Sequence, residues 1–108
     1  MGYGGQEERP TITLTQLQAY IKEKDYRPEL KHQYMLKLFE EIGELAEAVR
    51  KDKLYRETGQ IKGTIDEELY DVLYYVAAIA NVYGIDLETS CRLKEQLNRT
   101  RYPAKKGE

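Results

Sequence analysis

The chain has 108 residues, a formal net charge of −2 and one cysteine, Cys91, with 33% charged and 41% hydrophobic residues. That length is one domain's worth, the small net charge speaks against a nucleic acid polymer as partner, and a lone cysteine excludes an intrachain disulfide framework and suits a reducing, cytoplasmic setting. No apolar run approaches the ~20 residues of a membrane span, so no membrane partner is expected.

Residues 1–10 are polar and glycine-rich, with no apolar stretch of the signal-peptide kind, and read as a flexible lead-in. Thr13 and Gln16 have capping-box spacing and predict a short helix over 14–24, with Leu14, Leu17 and Ile21 on one side. Asp25 to Pro28 is a break, and Pro28 suits the first turn of a second helix over 29–53. A polar stretch over 56–63 follows, with Gly59 and Gly63 as breakers. Thr64 and Glu67 form another capping box, opening a third helix that runs to about 83 and stops at Gly84. Asp86 caps a fourth helix over 87–99, and the charged residues 104–108 form a tail. Residues 11–103 are therefore expected to make one helical domain, since no segment alternates with the period of a strand. The ten tyrosines, against one phenylalanine and no tryptophan, are expected at the core edge with their hydroxyls in water.

On a helical wheel the second helix carries a broad apolar stripe of Tyr34, Met35, Leu38, Ile42, Leu45 and Val49. Glu41 and Glu44 lie together at one edge of it, whereas Glu40 and Glu47 lie further round. The third helix repeats the arrangement. Its stripe is Ile65, Leu69, Val72, Val76, Ile79 and Tyr83, and Glu68 and Asp71 sit at the edge. One acidic i, i+3 pair is ordinary on a solvated helix. Two pairs in the same relation to two stripes are different, because antiparallel packing would bring four carboxylates to one pocket. Such a set repels itself unless a cation holds it, and Mg²⁺ is the hard divalent ion that prefers oxygen ligands. The only histidine, His32, has no Glu-x-x-His partner motif, which argues against a di-iron carboxylate bundle.

The run Glu40-Glu41-Ile42-Gly43-Glu44-Leu45, followed by Glu67-Glu68-Leu69-Tyr70-Asp71-Val72, resembles the paired signature of MazG-like pyrophosphohydrolases. Lys94, Asn98, Arg101, Tyr102 and Pro103 are similar to the ending of that all-α family and of its dCTP pyrophosphatase branch. The resemblance implies a four-helix MazG-like bundle completed by dimerisation or tetramerisation, with active sites near the subunit interface. It implies that Glu41, Glu44, Glu68 and Asp71 are catalytic and ligate Mg²⁺. The implied reaction cuts between the α- and β-phosphates of a (deoxy)nucleoside triphosphate, giving a monophosphate and pyrophosphate, as in nucleotide-pool house-cleaning. Lys94, Asn98, Arg101 and Tyr102 are the implied substrate contacts. Glu40 is the candidate base from the doubled glutamate, although the wheel turns it away from Glu41. The dCTP branch has tryptophans near the base and this chain has none, which leaves Tyr26, His32 or Tyr34 as stacking residues. Two rival readings are a related phosphoribosyl-ATP pyrophosphohydrolase and a helical interaction module without catalysis. Product analysis separates the first and Mg²⁺ titration the second.

Overall fold

A computed structural model describes residues 11–101. They form α1 (Leu14–Lys24), a 3-10 turn (Pro28–Leu30), α2 (Lys31–Lys51), α3 (Tyr55–Thr58), α4 (Ile65–Val82) and α5 (Leu87–Arg101). No strand occurs among the described residues, so the all-α expectation holds.

Local chemistry sets the boundaries. At α1 both halves of the capping box form: the Gln16 N–H donates to Thr13 Oγ1 at 3.0 Å, and the Thr13 N–H to Gln16 Oε1 at 2.9 Å. The second helix is shorter than 29–53. Its first expected turn is the 3-10 turn after Pro28, and it ends at Lys51 because Asp52 turns left-handed at φ 58. The stretch over 56–63 is not all loop, since α3 forms there and is closed by Gly59 at φ 74. Asp66 Oδ1 accepts from the Tyr55 N–H at 2.7 Å, so the first turn of α4 caps α3 across the loop. At α4 the capping box is half made. The Glu67 N–H donates to Thr64 Oγ1 at 3.2 Å, but the Glu67 carboxylate reaches the Gly63 N–H at 2.7 Å instead of that of Thr64. Helix α5 continues past 99, to Arg101.

Two antiparallel pairings share α4. Tyr34, early in α2, meets Tyr75, late in α4, while the Lys53 carbonyl after α2 accepts from the Ile65 N–H at the start of α4. On the other side Gln18 meets Asn81 and Asp25 meets Tyr74, which lays α1 along α4. Ile21, Tyr34, Ala77 and Ala78 form the buried core, with Leu17, Tyr74, Tyr75, Ile79, Val82 and Leu87 packed around it. The two alanines let α1 approach α4 closely.

The broad stripes read from the sequence are only partly core. Tyr34 is buried, but Met35, Ile42 and Val49 on α2, Leu69 on α4 and Tyr83 just after it are exposed. Phe39 is 61% exposed and Val49 53%, so one side of α2 is left apolar and uncovered from end to end. The cause is geometric: α1 covers one flank of α4, and α5 has no buried residue. The Cα radius of gyration, 16.8 Å, exceeds the ~13 Å of a compact 100-residue domain. Among the described residues no helix is long and apolar enough to cross a membrane.

Candidate metal centre

Glu41 projects from the middle of α2, and Glu68 and Asp71 from the first two turns of α4. One carboxylate oxygen from each lies within 4.8 Å of those of the other two. Glu68 is the deepest, 8% exposed, and its Oε1 is buried without a hydrogen-bond partner among the described residues. An orphaned buried carboxylate oxygen is costly and calls for a counter-charge. Burial first, then the Asp71 charge and the neighbouring Glu41 carboxylate, pushes the Glu68 pKa up to about 7. Burial and the Glu67 charge also raise that of Asp71, against relief from Lys62. Three converging oxygen donors, with no imidazole or thiol among them, fit a hard divalent cation.

Glu44 is not in this group of three. It is exposed one turn further along α2 and lines an adjoining cavity of about 150 Å³ with Glu68, Glu47, Ala48, Lys51, Lys53 and Gly63. Glu40 pairs with Lys37 at 2.8 Å, and Glu47 pairs with Arg50 and Lys51; neither joins the cluster.

The fourth-helix residues stand elsewhere. Lys94 and Arg101 are exposed on α5 and Asn98 is half-buried; none lines the cavity beside Glu44 and Glu68 in the same chain. Tyr102 lies outside the described residues. Of the three stacking candidates, Tyr26 and His32 are exposed, and Tyr34 is a core residue whose hydroxyl donates to Asp25 Oδ1 at 2.8 Å. That corrects its role and, for two residues, the expectation of wet tyrosine hydroxyls, since Tyr74 likewise donates to Asp25 Oδ2 at 2.8 Å, whereas Tyr20, Tyr26, Tyr55, Tyr70 and Tyr83 are exposed.

Tyr75 escaped the sequence reading, and Lys53, outside the motif that Lys94 and Asn98 match, is expected from it to contribute little. Tyr75 packs on Tyr34 at 6.4 Å between ring centres, and its hydroxyl feels both Glu41 and Asp71. Burial raises its pKa most, with Lys37 opposing. The available signal was its i+4 spacing from Asp71. Lys53 had no such signal, because only the left-handed turn at Asp52 returns it to the carboxylate wall.

The fold that carries these residues has solved relatives. Two crystal structures of iMazG from Vibrio DAT 722 superpose on the chain. The C-tagged form has a TM-score of 0.76 and 49% identity, over 82% of this chain and 99% of that one. The N-tagged form has a TM-score of 0.78 and 48% identity, over 86% of this chain and all of that one. No curated protein matches the chain. The model of the MazG nucleotide pyrophosphohydrolase domain matches residues 30–104, from the turn before α2 to beyond α5. With that match spanning both acidic helices, the chain belongs to the MazG nucleotide pyrophosphohydrolase domain family.

Proposed function

We propose that the chain is a Mg²⁺-dependent nucleoside triphosphate pyrophosphohydrolase of the cytoplasm, releasing a nucleoside monophosphate and pyrophosphate in nucleotide-pool house-cleaning. The observation that carries this reading is the orphaned Glu68 Oε1 among the Glu41, Glu68 and Asp71 carboxylates. Those three residues would hold the metal, with Glu44 joining from the adjoining turn. Bound Mg²⁺ supplies Lewis acidity that neutralises phosphate oxygens and favours attack of water at the α-phosphorus. The protein's own part is to fix these carboxylates on two packed helices, so that little reorganisation accompanies the reaction.

The working unit is residues 11–103 in a homodimer, or a tetramer built from it. The uncovered apolar side of α2, from Met35 through Phe39 and Ile42 to Val49, supports a second copy as its cover. A partner subunit is also the natural source of α5, whose Lys94, Asn98 and Arg101 would then meet the triphosphate. Neither a nucleic acid polymer nor a membrane is required.

Incubation with a panel of nucleoside triphosphates and Mg²⁺, with products resolved by phosphorus NMR, tests the reading. Monophosphate and pyrophosphate are expected, and both should vanish with chelator. Diphosphate and orthophosphate, or no product from any nucleotide, would overturn it. Light scattering should find no stable monomer at micromolar concentration.

A further inference from the structure

The cavity beside the metal centre has a cationic wall. Asp52 at φ 58 reverses the chain after α2, and Lys53 is then pinned on both sides. Its N–H donates to the Ala48 carbonyl at 3.3 Å, and its own carbonyl accepts from the Ile65 N–H at 2.9 Å. Lys53 therefore bridges the end of α2 that carries Glu44 and the start of α4 that carries Glu68, and all three line one cavity.

The second cation in that wall, Lys51, is taken up by Glu47 at 3.3 Å. Lys53 is not: among the described residues no carboxylate comes within 4.0 Å of its ammonium. A lysine that shares a cavity with three carboxylates, Glu44, Glu47 and Glu68, yet closes on none, leaves space between the charges. The same lining includes Glu68, whose buried Oε1 has no partner among the described residues. Carboxylates and a free ammonium in one cavity suit a ligand with two kinds of contact. A phosphate group with its metal has both, because the cation sits on the carboxylates and the remaining anionic oxygens face the lysine. The lining is charged, with only Ala48 and Gly63 as small neutral members, and offers no aromatic or broad apolar surface to a nucleobase.

Resting on the pyrophosphohydrolase reading, we infer that Lys53 binds the leaving pyrophosphate end of the substrate, in the cavity that adjoins the Glu41, Glu68 and Asp71 centre. It acts as a point charge on the β- and γ-phosphates and is not a metal ligand.

The test is calorimetric and uses Lys53→Ala, Lys53→Arg and Lys22→Ala, the last removing the same charge from α1. The probes are Mg²⁺ alone, Mg²⁺ with pyrophosphate, Mg²⁺ with a non-hydrolysable α,β-methylene triphosphate, and Mg²⁺ with the monophosphate. Lys53→Ala should weaken pyrophosphate and triphosphate-analogue binding about tenfold, as for loss of one charge-assisted contact. It should leave Mg²⁺ and monophosphate binding unchanged. Lys53→Arg should keep most of the affinity, and Lys22→Ala all of it. Wild-type affinity of Lys53→Ala for pyrophosphate, or an equal loss for the monophosphate, would overturn the assignment. The pyrophosphohydrolase reading itself fails on a different result, the absence of monophosphate product from the wild-type protein.

Discussion

The two flanks of α4 bury polar groups in opposite ways. Toward α1, the Gln18 amide donates to Asn81 Oδ1 at 3.0 Å and to the Ile85 carbonyl at 2.8 Å, and accepts from the Leu87 N–H at 2.8 Å. Asn81 returns a bond to the Gln18 carbonyl at 2.9 Å. Asp25 accepts from both Tyr34 and Tyr74, and the Arg27 N–H donates to the Tyr34 hydroxyl at 3.0 Å. Toward α2, Glu68 Oε1 has no partner among the described residues and its neighbours are two more carboxylates. A satisfied network fixes a fold. An unsatisfied cluster of carboxylates can keep a place for a ligand, so the α1 flank reads as structural, and the α2 flank is the one proposed to be functional.

The largest expected effect separates the flanks by activity. Glu68→Gln, Glu41→Gln and Asp71→Asn should each lower turnover more than about a hundredfold, because each would remove a proposed metal ligand. Metal-free melting temperature should hold or rise, since carboxylate repulsion is relieved. Near wild-type turnover in any of the three would erase the distinction. The mirror experiment is Gln18→Leu. It strands Asn81 Oδ1, the Ile85 carbonyl and the Leu87 N–H, and denaturant unfolding should show a loss of about 1–3 kcal/mol. Mg²⁺ affinity should not move, and a loss of metal binding with unchanged stability would reverse the assignment of the flanks.

Titration sharpens the same contrast. The folded-state pKa of Glu68, about 7, lies above its ordinary 4.5. The stability linked to Glu68 is thus fully present below about 4.5 and is lost as pH rises through about 7 in metal-free protein. Melting curves across that window should show the decline, and Glu68→Gln should flatten it. Mg²⁺ affinity should run the other way and grow with pH, since the ligands bind as carboxylates. A smaller effect is expected at Glu47, which pairs with Arg50 and Lys51. Glu47→Gln should change turnover by less than about twofold, as for an exposed ion pair. A loss matching that of Glu68→Gln would place the metal one turn away.

The legibility of the sequence follows from the same physics. Helix periodicity and caps are local, so α1, α4 and the start of α5 could be read from Thr13, Thr64, Gly84 and Asp86. The pairing of Glu41 with Glu68 and Asp71 was legible because wheel phase is also local, and antiparallel packing then follows. What the wheel cannot give is which part of a wide apolar stripe a neighbour covers. Hence the stripes contain Ile42, Val49 and Leu69, which this chain leaves exposed, beside Tyr34, which it buries. Nor does it report long-range polar partners: Asp25 with Tyr34 and Tyr74 are 9 and 49 residues apart in the chain. Lys53 was hidden because its position depends on one left-handed residue, Asp52, that carries no glycine signal.

Calorimetric titration of nucleotide-free protein with Mg²⁺, above pH 7 and in wild type beside Glu68→Gln, tests the central claim most directly. The orphaned carboxylate predicts saturable binding by the wild type and its loss in the variant, with both proteins equally folded. Equal Mg²⁺ binding by the two, or no saturable binding by the wild type, would contradict the account.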